Sequence, residues 1–205
     1  MTAVEFLRAD QTLITELVPA GARVLDLGCG DGALLARLRD EHGATVRGVE
    51  IDLEKIGHCI NRGLSVVQGD LDEGLRDFRD GSFDVVILSQ TLQVVRRPAL
   101  VLAEMLRVGA RGVVSFPNFA YWRNRARLAL RGRMPVSAAI PYTWYDTPNI
   151  HHTTLADFRA LCAESGAVIE RELPIVSGSR PGPGRVVRIM PNLLADSAVF
   201  VVSNR

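Results

Sequence analysis

The sequence predicts an α/β protein: a Rossmann-like, doubly wound, mostly parallel seven-stranded sheet that ends in a C-terminal antiparallel hairpin. Three observations lead there. Five apolar, strand-like runs alternate with helical patterns between Val24 and Phe116. The first run passes through Gly28, Gly30 and Gly32 straight into the helical pattern Ala33–Leu38. The last two runs, Ala167–Leu173 and Ser197–Val202, are joined by a loop and not by a helix, which makes them antiparallel.

The totals bound the answer. At 205 residues the chain is expected to form one domain, 1–205, with an insertion at 117–150. A net charge of +1 gives no whole-protein reason to expect nucleic acid or a membrane. Lys55 is the one lysine among 24 basic residues, a compositional bias that needs no role in recognition. Cys29, Cys59 and Cys162 are odd in number, scattered and without C-x-x-C spacing, which fits a reducing cytoplasm and neither a disulfide framework nor zinc. The first twenty residues carry acids and no long apolar run, so no signal peptide is expected, and no stretch approaches the ~20 apolar residues of a membrane span.

Each element has its own signal. Phe6, Leu7, Leu13, Ile14, Leu17 and Val18 recur at helical spacing, and Pro19-Ala20-Gly21 stops that leader helix. Val24–Leu27 reads as a buried strand. The glycine turn after it lets the backbone approach a ligand, and the next helix offers unpaired N–H groups there. The spacing is G-x-G-x-G, not the G-x-G-x-x-G of dinucleotide binders. A helix runs to about Glu41, and Thr45–Ile51 is the second strand.

Glu50 lies twenty residues after Gly30, where an acid at the end of the second strand addresses a ribose. The ordinary alternative is that Glu50 or Asp52 caps the following helix, Leu53–Asn61, and for Asp52 capping is the expectation. Leu64–Gln68 is the third strand and closes in Gly69-Asp70-Leu71. Asp70 either faces the ligand or caps the segment from Asp72. Ser82–Leu88 is nearly all apolar, as a central parallel strand is. Ser89-Gln90-Thr91-Leu92-Gln93 follows at its C-terminal edge, the ligand side of an open α/β sheet. Pro98 opens a helix to Leu106, and Ala110–Phe116 is the fifth strand. Thr153–Ser165 is a helix stopped by Gly166. Ser177–Gly184 is a glycine- and proline-rich loop.

Residues 117–150 depart from a minimal sheet of this type. Seven arginines and no acid fall between Arg107 and Tyr145, and five of them, Arg123, Arg125, Arg127, Arg131 and Arg133, occupy eleven positions. Trp122, Ala126, Ala129 and Leu130 share one side of that segment, an amphipathic basic helix. It is either a solvated face, or a docking surface or gate for something acidic. Every Tyr and Trp of the chain lies in this region, together with Pro135, Pro141 and Pro148, as in a lid over the ligand edge. Tyr142, Tyr145, His151 and His152 are the candidate catalytic groups. Adjacent histidines seldom face one metal, so no metal is expected, and a structural histidine at the start of the next helix is the alternative to a general base.

Asp26-Leu27-Gly28-Cys29-Gly30-Asp31-Gly32 resembles motif I of the class I S-adenosylmethionine-dependent methyltransferases. The longer segments Gln68–Leu75, Ser89–Gln93, Ser115–Phe119, Arg131–Val136 and Trp144–His152 are more specific. Through them the chain, over roughly residues 10–173, resembles the MetW family of methionine biosynthesis proteins. The resemblance implies a class I methyltransferase fold that binds S-adenosyl-L-methionine or S-adenosyl-L-homocysteine through Asp26, Gly28, Cys29, Gly30, Glu50, Ile51, Asp70, Leu71 and Ser89. In that family pattern the acid at Asp70 takes the adenine amino group, and the next backbone N–H meets a ring nitrogen. It further implies a cytoplasmic role beside a homoserine O-acetyl- or succinyltransferase. No Asn/Asp-Pro-Pro-Tyr follows the fourth strand, which counts against methylation of nucleic-acid bases or glutamine. Three hypotheses follow: a partner subunit that binds the sulfonium cofactor, a methyltransferase acting on a small molecule, and, disfavoured by the glycine spacing and terminal hairpin, an NAD-dependent oxidoreductase.

Overall fold

The computed structural model describes residues 8–177 and 184–204; Phe6 and Leu7 of the leader helix and positions 178–183 of the glycine- and proline-rich loop lie outside them. Helix α1, Ala9–Leu17, is followed by β1, Arg23–Leu27, and α2, Ala33–His42. Then come β2, Thr45–Glu50, α3, Leu53–Asn61, β3, Ser65–Gln68, a single 3-10 turn, Leu71–Glu73, and β4, Phe83–Ser89. Helix α4, Pro98–Val108, leads to β5, Gly109–Pro117, and α5, Trp122–Arg131. The chain closes with α6, Leu155–Ser165, β6, Val168–Val176, β7, Arg185–Val186, α7, Pro191–Leu194, and β8, Ser197–Ser203.

All eight strands form one sheet in the order β3-β2-β1-β4-β5-β8-β6-β7. The first five are parallel to one another, and β8 runs antiparallel to both β5 and β6. The seven expected strands are thus present, with the two-residue β7 added at the edge beside Ile175 and Val176. Strand order reverses direction between β1 and β4. At that switch the loops after the two strands part and leave a crevice at their carboxyl ends.

Two apolar layers cover the sheet, which explains why its central strands read as unbroken apolar runs. In β4, Val85 and Ile87 pack with Ile14, Leu34, Leu38 and Val199 on one face. Val86 and Leu88 pack with Leu102, Met105, Phe158 and Phe200 on the other. Phe116, Phe158 and Phe200 form a fully buried aromatic trio, with centroid distances of 5.0, 5.6 and 4.8 Å. A third cluster, Cys29, Leu35, Cys59 and Leu64, seats α2 and α3 behind the glycine turn. All three cysteines are buried and free.

The helix ends obey local chemistry. Asp52 caps α3 by accepting from the backbone N–H of Glu54, at 2.9 Å, and of Lys55. Thr154 and Asp157 form a reciprocal capping box on α6. Pro98 stands in the first turn of α4. Gly32 opens α2 at φ +80°, and a Cβ there would lie 2.4 Å from Leu64 Cδ1 and 2.9 Å from Cys59 Sγ. Gly43 ends the same helix at φ +61° with open space around it.

These two glycines separate conformational cost from packing cost. Gly43→Ala is expected to cost about 1 kcal/mol for the left-handed backbone alone, whereas Gly32→Ala adds overpacking and is expected to cost about 3 kcal/mol in total. Urea midpoints of the two variants against the parent check this; equal losses would contradict it.

Candidate functional site

The site is built where the turn after β1 meets the end of β2. Gly28 takes φ +75°, and a Cβ on it would meet Thr91 Oγ1 at 2.7 Å and Cγ2 at 2.8 Å, so the turn fits only as glycine. The backbone N–H groups of Gly28 and Cys29 both donate to Val49 O, at 2.8 and 3.1 Å. Cys59 Sγ donates to Gly30 O at 3.2 Å. At Gly30, φ +58°, a Cβ would meet nothing within 4 Å, because the residue faces open space. That opening is where a ligand can come against bare backbone.

Glu50, 6 % exposed, holds this arrangement together. Its Oε2 accepts from Gly30 N at 2.8 Å, and its Oε1 accepts from Ile51 N at 2.9 Å and Asp52 N at 3.1 Å. A carboxylate has about four acceptor positions. Three are taken, and the one left on Oε2 can accept a ligand hydroxyl. Asp70 is exposed at the neighbouring strand end, where its Oδ1 accepts from Asp72 N at 2.9 Å and caps the 3-10 turn. Capping occupies Oδ1 and leaves Oδ2 without a capping role, so the two readings of Asp70 are compatible.

Across the crevice lies a polar cluster. Asp10 of α1 is 4 % exposed and accepts from Ser115 Oγ at 2.7 Å, Ser89 Oγ at 3.1 Å and Arg8 Nε at 3.1 Å. Arg8 Nη2 also donates to Ser89 Oγ at 2.9 Å. Burial pushes the Asp10 carboxyl up, but Arg8 and the two serine hydroxyls together hold it below its ordinary range, so it stays ionised. Asp26 sits beneath the turn, fully buried, with Oδ1 unpartnered. Burial, opposed by the charge of Arg8 and reinforced by that of Glu50, raises it to about 7. Gln90, directly after β4, takes φ +54°, a left-handed backbone uncommon for a side-chain-bearing residue. Its N–H donates to Ser115 O at 2.9 Å, and its carbonyl accepts from Gln93 Nε2 at 2.8 Å.

Arg8, Asp10, Glu50, Asp70, Ser89 and Gln90 line one cavity of about 980 Å³. Its walls include Gly28, Gly30, Glu50, Ile51, Asp70, Leu71 and Ser89 of the expected cofactor residues. The other two lie behind the wall: Asp26 under the turn, and Cys29 pointing into the cluster with Leu35 and Cys59. Segments of the insertion cross the mouth, with Ala138, Ala139, Pro141, Tyr142, Pro148 and Asn149 on the cavity. Of the catalytic candidates only Tyr142 reaches it. Tyr145 is 74 % exposed. His151 and His152 instead border a separate, shallower cavity of about 270 Å³ with Leu92, Pro98 and Phe158, and His152 stands edge-on to Phe119 at 4.6 Å. The arginines of α5 do not line the main cavity. Among the described residues no cluster of three His, Cys, Asp or Glu side chains could hold a metal, and no helix is long and apolar enough to cross a membrane.

Sequence reasoning missed Arg8, Asp10 and Ser115 as site residues, and put Thr91 at the ligand edge without giving it a role. Asp10 carried a signal: it lies three and four residues before Leu13 and Ile14, so an acid shared their buried face. Ser115 was a lone hydroxyl in an apolar strand. Nothing in the sequence marks the backbone of Gln90.

The cavity therefore has two chemically different ends. One carries Arg8 and ionised Asp10, a pair able to receive a carboxylate and an ammonium group. The other carries Glu50 and Asp70, which accept from hydroxyl and amino donors.

Comparison with known proteins gives the family and the fold. The family model described as methionine biosynthesis protein MetW matches residues 8–202. The chain is 41 % identical over 205 residues to the bifunctional methionine biosynthesis protein MetXA/MetW of Rhodopirellula baltica, covering 95 % of this chain and 32 % of that protein. It is 32 % identical over 118 residues to a ubiquinone biosynthesis O-methyltransferase of Methylococcus capsulatus, covering 55 % of this chain and 47 % of that one. The chain thus spans about a third to a half of these curated relatives. Among solved structures, an S-adenosylmethionine-dependent methyltransferase of Mesorhizobium loti shares the fold at TM-score 0.69 and 20 % identity, covering 95 % of this chain and 97 % of that one. One from Thermotoga maritima does so at TM-score 0.71 and 16 % identity, covering 96 % and 88 %.

The buried state of Asp26 sets a pH dependence. Its folded value of about 7 lies above the ordinary 3.8, so the folded protein keeps a proton that the unfolded chain releases. The contribution to stability is full below pH 4 and is lost as pH rises to 7. Asp26→Asn is expected to gain stability relative to the parent progressively from pH 4 to 7, by a few kcal/mol, and to level off above. Urea denaturation at pH 4, 5.5, 7 and 8 checks this; a constant difference across that range would contradict it.

Proposed function

The chain belongs to the MetW family of methionine biosynthesis proteins, and on that footing we propose that it binds S-adenosyl-L-methionine or S-adenosyl-L-homocysteine in the 980 Å³ cavity and acts with a homoserine O-acyltransferase in the cytoplasm. The observation that carries the reading is the pairing of open backbone at Gly30 with the buried Glu50 carboxylate beside it. The residues present fit the ligand. Oε2 of Glu50 takes a ribose hydroxyl, Asp70 takes the adenine amino group, and the N–H of Leu71 meets a ring nitrogen. Ile51 lies at the same end, 60 % exposed, as an apolar surface for the base. Arg8 takes the ligand carboxylate. Asp10, kept ionised by Arg8 and its hydroxyl partners, takes the ammonium, and Ser89 orients both side chains. Asp26 supplies negative charge beneath the turn once a cation draws off its proton.

The acyltransferase association is supported by the Rhodopirellula relative, whose name joins MetXA and MetW in one chain. A second reading is an active methyltransferase on a small molecule. It is favoured by the cavity volume, at the upper end for small-molecule sites, which leaves room beside the cofactor under Tyr142 and Asn149. The bound sulfonium would supply an activated methyl group. The protein's part would be to hold the acceptor in line and keep water out, which needs no dedicated nucleophile.

One experiment separates the two readings. The protein is incubated with methyl-labelled S-adenosylmethionine and homoserine, with and without a homoserine O-acyltransferase. A changed acylation rate with no labelled product supports the partner role, and label on a metabolite supports transfer. Neither outcome would count against both.

Two site variants and one control test the ligand assignment. Glu50→Gln removes the anionic acceptor and turns an amide NH2 against backbone N–H groups at one of its two positions, and is expected to weaken S-adenosylhomocysteine by at least about 10-fold in calorimetry, the worth of one charged hydrogen bond or more. Asp52→Asn, which only caps α3, is expected to change it less than about threefold. Arg8→Ala is expected to weaken S-adenosylhomocysteine by at least about 10-fold and adenosine not at all, because adenosine lacks the amino-acid group. Equal losses for both ligands would contradict the assignment of the two ends.

A further inference from the structure

Helix α5 is mounted with its apolar side outward. At about 100° per residue, Trp122, Ala126, Ala129 and Leu130 cluster on one side, and Asn124 falls on the other. Asn124 is the buried residue of α5, and its Nδ2 donates to Asn118 O at 3.3 Å. The apolar stripe therefore points away from the body, with Trp122 44 % and Leu130 85 % exposed. Arg123 and Arg125 border the stripe, and Arg123 lies over the Trp122 ring at 5.4 Å. Beyond the helix, Met134 and Val136 are also exposed, and Arg127 Nη1 donates to Val136 O at 3.1 Å to tie that segment to the helix.

This exposed helix is nevertheless firmly placed. Asn118, fully buried at the end of β5, donates to Asn192 O at 3.0 Å and Ala195 O at 2.8 Å and accepts from Ala120 N at 3.0 Å. Arg125 Nε donates to Ala120 O at 2.6 Å. A fixed helix that displays Trp, Leu and Arg and no acid has the composition of an interface centre, where Trp and Arg dominate binding energy.

We propose that the outer face of α5, centred on Leu130 and Trp122, bordered by Arg123 and Arg125 and followed by the exposed Arg133 just past the helix, is a docking surface for a folded protein that presents an apolar pocket ringed by carboxylates. The occupant is the homoserine O-acyltransferase, so the inference rests on the association proposed above. Charge complementarity points to the chemistry: five arginines in eleven residues with no acid among them match a surface rich in carboxylates, and the net charge of +1 means the attraction is local. A membrane suits the site less well, since the stripe offers only two large side chains, Trp122 and Leu130, over a ten-residue helix.

The test uses the full-length chain, a homoserine O-acyltransferase from the same organism, and vesicles of anionic phospholipid. Leu130→Glu and Arg133→Glu change exposed side chains and should leave the thermal midpoint and S-adenosylhomocysteine affinity at parental values. Each is expected to weaken the acyltransferase complex at least 10-fold. If the parent forms the complex and both variants form it equally well, the docking surface is overturned while the association stands. If the parent forms no complex, the association and the surface fall together. Binding to vesicles that both variants abolish, with the protein complex untouched, would assign the face to membrane and overturn the proposal.

Discussion

A single buried carboxylate fixes the geometry on which the cavity depends. Glu50 accepts N–H groups from the turn after β1 and from the two residues that follow β2. Those two loops belong to adjacent parallel strands, and their spacing would otherwise depend on strand register alone. Three backbone donors offset the cost of burying the charge. Glu50 is then both a brace for the cavity wall and a presented acceptor within it. The glycines at 28 and 30 follow from the same constraint: one must clear Thr91, and the other must leave its surface bare.

The opposite end of the cavity is built differently, from elements far apart in sequence. Helix α1 reaches the site because Leu13 and Ile14 are packed in the core against β8, which itself lies beside β5. That packing carries Arg8 and Asp10 across to Ser89 and Ser115 at the ends of β4 and β5. The result is an ionised carboxylate and a guanidinium held in fixed relation, facing the two-carboxylate end. Asp26 below the turn and Gln93 on the cavity wall each keep a buried, unpartnered oxygen, and the carboxyl of Asp26, raised by burial, answers to any positive charge that enters.

The order of strands and helices was legible because the central strands β1, β4 and β5 are largely buried on both faces and read as apolar runs, while the half-exposed edge strand β3 is marked by the glycines at 63 and 69 on either side of it. Leu53–Asn61 begins and ends where its capping aspartate and the Arg62-Gly63 break place it. The wall residues Gly28, Gly30, Glu50, Asp70 and Ser89 were legible for the same reason, since strand ends in such a sheet converge on one edge. Two-residue β7 was not, because nothing distinguishes a minimal edge strand from loop. Arg8 and Asp10 were not read as site residues, because their role arises from the docking of α1 on the core and not from local pattern. His151 and His152 are neighbours in the chain, which carries no direction, and the fold turns them toward Phe119 and Phe158, away from the main cavity. The side of α5 that faces outward was likewise invisible, since an amphipathic pattern states that two faces differ and not which one meets the body.

The central claim is that the loops after β1, β2 and β3 converge on one adenosyl ligand. Backbone amide NMR during titration with S-adenosylhomocysteine tests it directly, because Gly28, Gly30, Ile51 and Leu71 each contribute an N–H at that wall. The account expects these four resonances to shift together along one saturating curve, with those of α5 unmoved. Saturation with shifts confined to other regions, or no shift at millimolar ligand, would contradict it.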